Sequence, residues 1–359
     1  MSADLSERDV ALVGGLVAIP SVSRNEADAV EWLVTRMAER GFRASVDPAG
    51  NAVGEIGEGP VHVVLLGHID TVPGDIPVRI EAGELVGRGA VDAKGPLAAF
   101  VAAASEPPGG VRITVVGAVE EESPTSKGAR YRATLPAPDW CVIGEPSGWD
   151  GVTVGYKGRL VVGLSLSRDA RHGAAPGPTC AEEALALWAR IGAAAEAHTP
   201  GVRGFEHLDC RLEGIHAIAG DGLTERAELR VGYRIPPGLR TADLEAEIAA
   251  LAEEHDGEAE VALTAVAAEE PARTPRSTAL ARAFAGSITA AGGQPAFRVK
   301  SGTSDMNVLL PAWGCPMVAY GPGDARYDHT PMERLGLEDY ARSILILKGV
   351  LERAGKQVR

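Results

Sequence analysis

Residues 61–73 read VHVVLLGHIDTVP, and this stretch decides the class of fold that we expect. The run Val61–Gly67 is rich in β-branched and aliphatic side chains, which is typical of a strand buried on both faces. The apolar run stops at His68, and Asp70 follows two positions later. Polar side chains that follow a buried strand are a common way to place a functional site in an α/β protein.

Two further strands are predicted, and each leads into acidic residues. The run Val111–Val119 precedes Glu120–Glu122, and the run Asp139–Gly144 precedes Glu145. A helical segment, Gly95–Ala104, separates the first two strands. This alternation predicts an α/β fold whose mixed sheet carries helices on both faces. Because ligands bind beyond the carboxyl ends of strands in such sheets, we expect the polar residues to gather at one edge.

The remaining segments divide the chain into three parts. Two helices are predicted near the start, at Asp4–Val17 and Glu26–Arg40. The next pattern is strand, helix, strand, helix, strand, at Leu160–Ser167, Cys180–Ala197, Arg226–Ile235, Thr241–Glu254 and Ala259–Val266. A linker, a helix, a strand and a helix follow, at Pro271–Ser277, Thr278–Ala290, Met317–Tyr320 and Leu337–Ala354. The sequence therefore predicts a discontinuous catalytic domain, residues 1–156 and 271–359, with an α+β domain inserted at 157–270.

Composition argues against several classes of protein. The chain has 359 residues, of which 45% are hydrophobic and 23% charged, as in a globular protein with sizeable cores. The net charge of −14, without a basic patch, argues against nucleic-acid binding. No apolar run approaches the roughly 18 residues of a membrane span, and the polar N-terminus does not resemble a signal peptide. The four cysteines form no C-x-x-C pair, so we expect a cytoplasmic protein.

Two histidines and three carboxylates have the chemistry of a divalent metal site. They are His68, Asp92, Glu122, Glu145 and His329. Mixed nitrogen and oxygen ligands suit zinc, cobalt or manganese in a site that keeps open positions. Taken one at a time, these residues also have structural interpretations. A histidine can be satisfied in a core, Asp92 can cap the helix that follows it, and adjacent glutamates can form a solvated turn.

Taken together, these motifs resemble the M20 family of dinuclear metallopeptidases and deacylases. The resemblance covers almost the whole chain, including the domain order. It implies two divalent metal ions, with Zn²⁺ as the first choice and Co²⁺ as the alternative. His68 and Glu145 would be ligands of one ion, Glu122 and His329 ligands of the other, and Asp92 the bridge.

The resemblance also implies roles beside the metals. Glu121 corresponds to the general base, and Asp70 to the residue that orients His68. The family usually has Asp-Glu-Glu where this chain has Glu120–Glu122, so the register within the three glutamates is open. We expect the last two to be the working pair, because this choice keeps Gly128 nearest to its usual distance.

Residues 157–270 resemble the lid or dimerisation domain of the family, which implies a homodimer. His172, in RHGAAP at 171–176, matches a lid histidine that stabilises the tetrahedral intermediate, often from the partner subunit. Arg234 lies where the family has an arginine that binds a substrate carboxylate. Both residues also suit a purely structural role. Residues 222–226, GLTER, depart from the Asn-Val-x-Pro segment of many members, which leaves no matching asparagine for the oxyanion site.

A narrower resemblance concerns three stretches: ESPTSKGAR at 122–130, KSGTSDMN at 300–307 and YGPGD at 320–324. They are similar to enzymes that release lysine or ornithine from a small acidic amino-group carrier protein in lysine and arginine biosynthesis. The amide that such enzymes cut joins the amino acid to the C-terminal glutamate of the carrier. By this resemblance, Lys300, Gly302 and Thr303 would bind substrate.

Other functions remain open from the sequence. The chain could be an N-acetyl-ornithine or N-acetyl-lysine deacetylase, or a succinyl-diaminopimelate desuccinylase. A catalytically silent binding protein on the same scaffold would require a broken ligand set. An acidic carrier should also be repelled by a chain of charge −14 unless basic residues line its path. The candidates for such a path are Lys94, Lys127, Arg130, Lys157, Arg159 and Lys300.

Overall fold

The computed structural model describes residues 5–219 and 222–356 of the chain. Its α-helices are α1 (Glu7–Val17), α2 (Ala27–Glu39), α3 (Lys94–Ala104), α4 (Lys127–Ala133), α5 (Cys180–His198), α6 (Thr241–Glu253), α7 (Ala279–Ala290), α8 (Asp305–Trp313) and α9 (Leu337–Gly355). Its strands are β1 (Arg43–Val46), β2 (Ala52–Ile56), β3 (Val61–His68), β4 (Arg79–Glu81), β5 (Glu84–Val86), β6 (Val111–Ala118), β7 (Trp140–Gly144), β8 (Gly151–Tyr156), β9 (Gly158–Asp169), β10 (Asp209–Ala219), β11 (Thr224–Ile235), β12 (Glu260–Glu269), β13 (Ala272–Arg273), β14 (Ala296–Lys300), β15 (Met317–Ala319) and β16 (Arg334–Gly336).

The chain divides into two compact units. Unit 1 contains the described residues of segments 1–155, 273–299 and 304–359, and unit 2 contains those of segments 156–272 and 300–303. That residues 157–270 form an independent domain stays a prediction. Among the described helices, none combines the length and hydrophobicity that a membrane-spanning segment needs.

Unit 1 is built on a nine-stranded mixed sheet. The strand order is β1-β2-β6-β3-β7-β15-β8-β13, and β14 pairs with β8. The centre is parallel, because β3 pairs with both β6 and β7, and β15 pairs with β7. In this register His68 lies beside Ala118, and Gly67 lies beside Gly144. The three strands therefore end at one edge, and the polar segments that follow them begin side by side.

Glycine and a buried helix allow this edge to be compact. A Cβ atom on Gly144 would lie 2.9 Å from the Cα atom of Gly67 and 2.9 Å from the ring of Phe100 in α3. All eleven residues of α3 are buried, including Lys94. The helix that begins just after Asp92 is thus enclosed by apolar packing, which gives the loop before it a rigid base.

Unit 2 has an antiparallel sheet in the order β10-β11-β9-β12. One face packs against α5 and α6 in a core that includes Leu160, Leu187, Val231 and Ile248. The sequence predicts three strands here, and this number is wrong, since β10 is a fourth strand. Its alternation is interrupted by a β-bulge between Leu212 and Gly214. A bulge breaks the period of two that identifies a strand in the sequence.

The expected architecture, a mixed α/β sheet with a separate α+β insertion, is confirmed. Every helix and strand that the sequence predicts is present, with ends displaced by at most three residues. The predicted start of α1 at Asp4 lies outside the described residues. The elements that were not predicted are short, apart from β10 and α8, and α8 contains Pro311, which usually interrupts a helix.

Candidate metal centre

The five predicted metal ligands lie together at the carboxyl edge of the parallel strands in unit 1. His68 ends β3, Glu122 lies in the turn after β6, and Glu145 directly follows β7. Asp92 lies two residues before α3, and His329 lies between β15 and β16. Segments that are far apart in the sequence therefore contribute to one cluster.

The ligand atoms form two groups that share Asp92. In each group, one ligand atom from each of three residues lies within 4.8 Å of the others. His68, Asp92 and Glu145 form the first group, and Asp92, Glu122 and His329 form the second. Oδ1 of Asp92 lies 3.1 Å from Nε2 of His68, and Oδ2 lies 3.0 Å from Nε2 of His329. A carboxylate whose oxygens face different ligand sets is suited to bridge two cations.

Glu121 borders the same space, whereas Glu120 does not. A third group of potential ligand atoms within 4.8 Å of one another contains His68, Glu121 and Glu122. The carboxylate of Glu120 instead lies 3.9 Å from Nε of Arg24. The geometry is compatible with the last two glutamates as the working pair. Their separate roles, Glu121 as base and Glu122 as ligand, stay predictions.

Acidic neighbours raise the pKa of both histidines. Hydrogen bonds with Asp92 and Glu122 raise the pKa of His329 to about 10. Burial lowers the pKa of His68, but hydrogen bonds with Asp70 and Asp92 outweigh this effect and raise it well above its usual value. Metal ligation requires neutral imidazole, so cations and protons compete for the same positions.

The donor set fits a pair of divalent cations. Each group that contains Asp92 offers three ligand atoms from imidazole and carboxylate groups. This mixture suits zinc or cobalt, and three protein ligands leave coordination positions for water and substrate. Within the described part of the chain, His68, Asp92 and Glu145 are all buried, which strengthens the attraction of the carboxylates for a cation.

The carboxylate of Asp70 anchors the turn that carries the glutamates. Oδ1 accepts a hydrogen bond from the main-chain N–H of Glu121 at 3.1 Å, and Oδ2 accepts one from that of Glu122 at 3.0 Å. The Ser23 hydroxyl also donates to Oδ2, at 2.7 Å. Nδ1 of His68 lies 2.9 Å from the main-chain oxygen of Asp70 and 3.6 Å from its carboxylate. Asp70 thus contacts His68, as the resemblance implies. It also contacts the turn that carries Glu121 and Glu122, which the resemblance does not imply.

Glu333 supports the loop of Asp92 in the same manner. Oε1 accepts hydrogen bonds from the main-chain N–H groups of Val91 at 3.0 Å and Asp92 at 3.1 Å. Oε2 accepts one from Nη1 of Arg88 at 2.8 Å. The Glu333 side chain is 1% exposed, so these bonds are protected from water. The loop that carries the shared carboxylate is therefore fixed by its own main chain.

Asp305 is a further buried acid near the centre, and no role is predicted for it from the sequence. It is 2% exposed, and its Oδ1 atom has no hydrogen-bond partner within residues 5–219 and 222–356. The pKa of Asp305 is raised to about 7, mainly by burial. The charge of His68 acts to lower this pKa, and that of Asp70 acts to raise it. The pattern Ser304-Asp305 gives no signal of this, because both residue types are common at the start of a helix.

The other predicted site residues belong to unit 2, and their roles stay predictions. They are His172, Arg234, Lys300, Gly302 and Thr303. His172 is exposed, and its Nδ1 atom accepts a hydrogen bond from the main-chain N–H of Ala174 at 3.1 Å. Nζ of Lys300 lies 5.9 Å from the centre of the Tyr156 ring.

Arg234 lies within a group of arginines in unit 2. In the register of the sheet it lies between Arg159 of β9 and Asp209 of β10. Burial and the like charges of Arg159 and Arg211 lower the pKa of Arg234. Its Nη1 atom is buried and has no hydrogen-bond partner among the described residues. The group is therefore suited to an anionic ligand such as a carboxylate.

The sequence matches peptidase family M20/M25/M40 over residues 64–353. It is 46% identical over 351 residues to the [LysW]-lysine hydrolase of Deinococcus radiodurans, covering 95% of this chain and 96% of that protein. It is 40% identical over 348 residues to the putative [LysW]-lysine/[LysW]-ornithine hydrolase of Thermococcus kodakarensis, covering 97% of this chain and 92% of that protein.

The fold is similar to that of the M20 family metallo-carboxypeptidase Sso-CP2 from Sulfolobus solfataricus. The TM-score is 0.78 at 17% sequence identity, and the match covers 98% of this chain and 100% of that one. At this level of identity the likeness concerns the fold alone.

We predict that Glu333→Gln lowers metal affinity about ten- to hundredfold. The amide has a single oxygen, which can accept either from the two main-chain N–H groups or from Arg88. In either orientation its NH₂ group faces the remaining donors, so those hydrogen bonds are lost. Competition with a chromophoric chelator measures the affinity for zinc and cobalt. Glu338→Gln, which changes an exposed carboxylate paired with Arg342, is the matched control and should leave the affinity unchanged. Equal affinities for the Glu333 variant and the wild type would contradict the prediction.

Proposed function

The chain belongs to peptidase family M20/M25/M40, and on this premise we propose that it hydrolyses the amide between an amino-group carrier protein and lysine, ornithine or both. The observation that carries the hydrolase is Asp92, whose two oxygens face two different histidines. Near full-length similarity to two proteins named as LysW hydrolases supports the substrate. The enzyme is a metal-dependent hydrolase of linear amide C–N bonds.

The metal ligands follow the two groups of the centre. His68 and Glu145 would hold one divalent ion, Glu122 and His329 would hold the other, and Asp92 would serve both. Zinc is our first choice, and cobalt is the alternative. When bound, such ions lower the pKa of a water molecule and polarise the carbonyl group that it attacks.

Glu121 moves the proton in this proposal. Its carboxylate takes the proton of the attacking water and then gives it to the leaving α-amine. Burial raises the pKa of Glu121, the charge of His68 opposes the increase, and Asp305 and Glu145 add to it. Asp70 keeps Glu121 in place through the main-chain hydrogen bond described above.

We also propose substrate roles for residues of unit 2. Arg234, in its arginine group, binds a carboxylate of the carrier-linked substrate, because its buried Nη1 atom can donate to an anion. Lys300, Gly302 and Thr303 bind the substrate as well. His172 stabilises the oxyanion that forms as water adds to the carbonyl.

The acidic carrier approaches a chain of net charge −14. Two of the six cations considered for its path are buried and engaged elsewhere. Nζ of Lys94 donates to the main-chain oxygen of Ile19 at 2.5 Å, and Nζ of Lys157 donates to Asp209 at 2.6 Å. The other four, Lys127, Arg130, Arg159 and Lys300, are partly or fully exposed, and Arg211 and Arg234 lie near Arg159 in unit 2.

A homodimer in the cytoplasm is part of the proposal. In the described part of unit 2, β10 and β12 are edge strands, and each leaves one side without a strand partner. Ile215 on β10 is 44% exposed and Val266 on β12 is 43% exposed, and such edges pair readily with another chain. The four cysteines are free thiols, which fits a reducing compartment. Light scattering should give the mass of two chains, and the mass of one chain would exclude the dimer.

Product release tests the proposed substrate directly. We expect zinc- or cobalt-loaded enzyme to release lysine or ornithine from the carrier-linked forms. N-acetyl-ornithine, N-acetyl-lysine and succinyl-diaminopimelate are the competing substrates in the same assay. Faster hydrolysis of any of these three would assign the chain to small-molecule deacylation. A metal-loaded protein that hydrolyses none of the compounds would support a silent binding protein.

We predict that Glu121→Gln keeps both metal ions and loses at least about 100-fold in kcat, since an amide cannot accept the proton. Metal content and turnover are measured on the same preparation. Glu120→Gln is the matched control from the adjacent position, and it should retain metal and activity. Loss of metal from the Glu121 variant would make Glu121 a ligand and shift the register by one residue.

A further inference from the structure

The turn that carries the two working glutamates is closed at its base. Gly128 donates its main-chain N–H to the main-chain oxygen of Val119 at 3.0 Å. Residues 120–127 project from this closure, and Glu121 and Glu122 are among them. Asp70 holds the main chain of these two glutamates through two hydrogen bonds.

The side chain of Asn51 bonds to both ends of the turn. It is fully buried just before β2. Its Oδ1 atom accepts a hydrogen bond from the main-chain N–H of Val119 at 3.0 Å, and its Nδ2 atom donates to the main-chain oxygen of Gly128 at 3.3 Å. Nδ2 also donates to Oδ2 of Asp47 at 2.9 Å. One amide group therefore hydrogen-bonds to a main-chain group at each end of the turn, although the turn lies 68 to 77 residues away in the sequence.

The position requires an amide. One acceptor and two donors are used, and asparagine supplies them on a short side chain. Aspartate has the same shape but no donor, so it would set a carboxylate against the oxygen of Gly128 and the carboxylate of Asp47. Such a replacement leaves buried groups unpaired and adds repulsion between like charges.

Gly128 is the other half of this contact. A Cβ atom at position 128 would lie 2.3 Å from Oδ1 of Asn51 and 2.6 Å from the main-chain nitrogen of Val119. Glycine is therefore needed for the close approach of the two chain segments. Asp47 is itself fixed, because Oδ1 accepts hydrogen bonds from the main-chain N–H groups of Ala49 at 2.9 Å and Asn51 at 3.1 Å.

We propose that Asn51 is a positioning residue for the hydrolytic reaction. It does not touch the reacting atoms, and it acts by holding the base of the turn so that Glu121 keeps its place beside the ligand cluster. The inference rests on the proposed role of Glu121 as the base. A base that is displaced by about 1 Å can lose on the order of 100-fold in rate.

The variant Asn51→Asp tests the proposal. We expect kcat to fall about 10- to 100-fold, with KM within about twofold of the wild type and both metal ions retained. The assay uses whichever compound the wild type hydrolyses. Hydrogen exchange of residues 119–128 is measured without substrate and should be faster in the variant. A wild type that is inactive on carrier-linked compounds would therefore count against the proposed function, while the exchange data still test the role of Asn51.

Two further variants separate positioning from a general loss of stability. Thr114→Val removes a buried hydroxyl that lies 2.9 Å from Nε2 of His62, and it should lower the melting temperature without changing kcat. Gly128→Ala acts on the same contact as Asn51→Asp, so it should produce the same loss of kcat even if the Asn51 variant does not fold. The proposal is overturned if Asn51→Asp leaves either kcat or the hydrogen exchange of residues 119–128 at the wild-type value, or if this variant loses metal together with activity. It is also overturned if Thr114→Val lowers kcat as much as Asn51→Asp does.

Discussion

The structure depends on the crowding of negative charge at the carboxyl ends of the parallel strands of the mixed sheet. Asp92, Glu121, Glu122 and Glu145 lie in a small and largely buried volume, together with two imidazole groups. Repulsion between such carboxylates is poorly screened away from water. Protons on His68 and His329, or divalent cations in their place, are the positive charges that relieve it. The same electrostatic cost that makes the cluster unfavourable alone favours the binding of cations there.

Main-chain N–H groups, rather than further charged ligands, hold this arrangement together. Asp70 accepts hydrogen bonds from the main-chain N–H groups of Glu121 and Glu122, and Glu333 accepts them from those of Val91 and Asp92. Lys94 is buried, and its pKa is lowered to about 8. Burial causes the decrease, and the charges of Glu333 and Asp70 oppose it. Lys94 thus places a buried positive charge where it interacts electrostatically with both carboxylates. The fold therefore positions the candidate ligands, so that metal binding would not have to order the loops that carry them.

The sequence is most informative where local pattern and position coincide. The runs that form β3, β6 and β7 are largely apolar, so their ends could be predicted, and with them the candidate ligands that follow. β10 could not be predicted because its bulge disrupts the alternation. Asn51 and Asp305 escape prediction for another reason. Their partners or surroundings lie far along the chain. Asparagine and aspartate are also common in turns and helix caps, so their local sequence does not distinguish these two residues. The roles of the unit 2 residues depend on geometry that no local pattern encodes.

The central claim is that one shared carboxylate, Asp92, organises two metal positions. Metal content of the wild type, Asp92→Ala, His68→Ala and His329→Ala, measured after dialysis against a fixed free-zinc concentration, tests it most directly. We expect two ions per chain in the wild type, the loss of both in the Asp92 variant and the loss of one in each histidine variant. A wild type that holds a single ion, or an Asp92 variant that retains two, would contradict it.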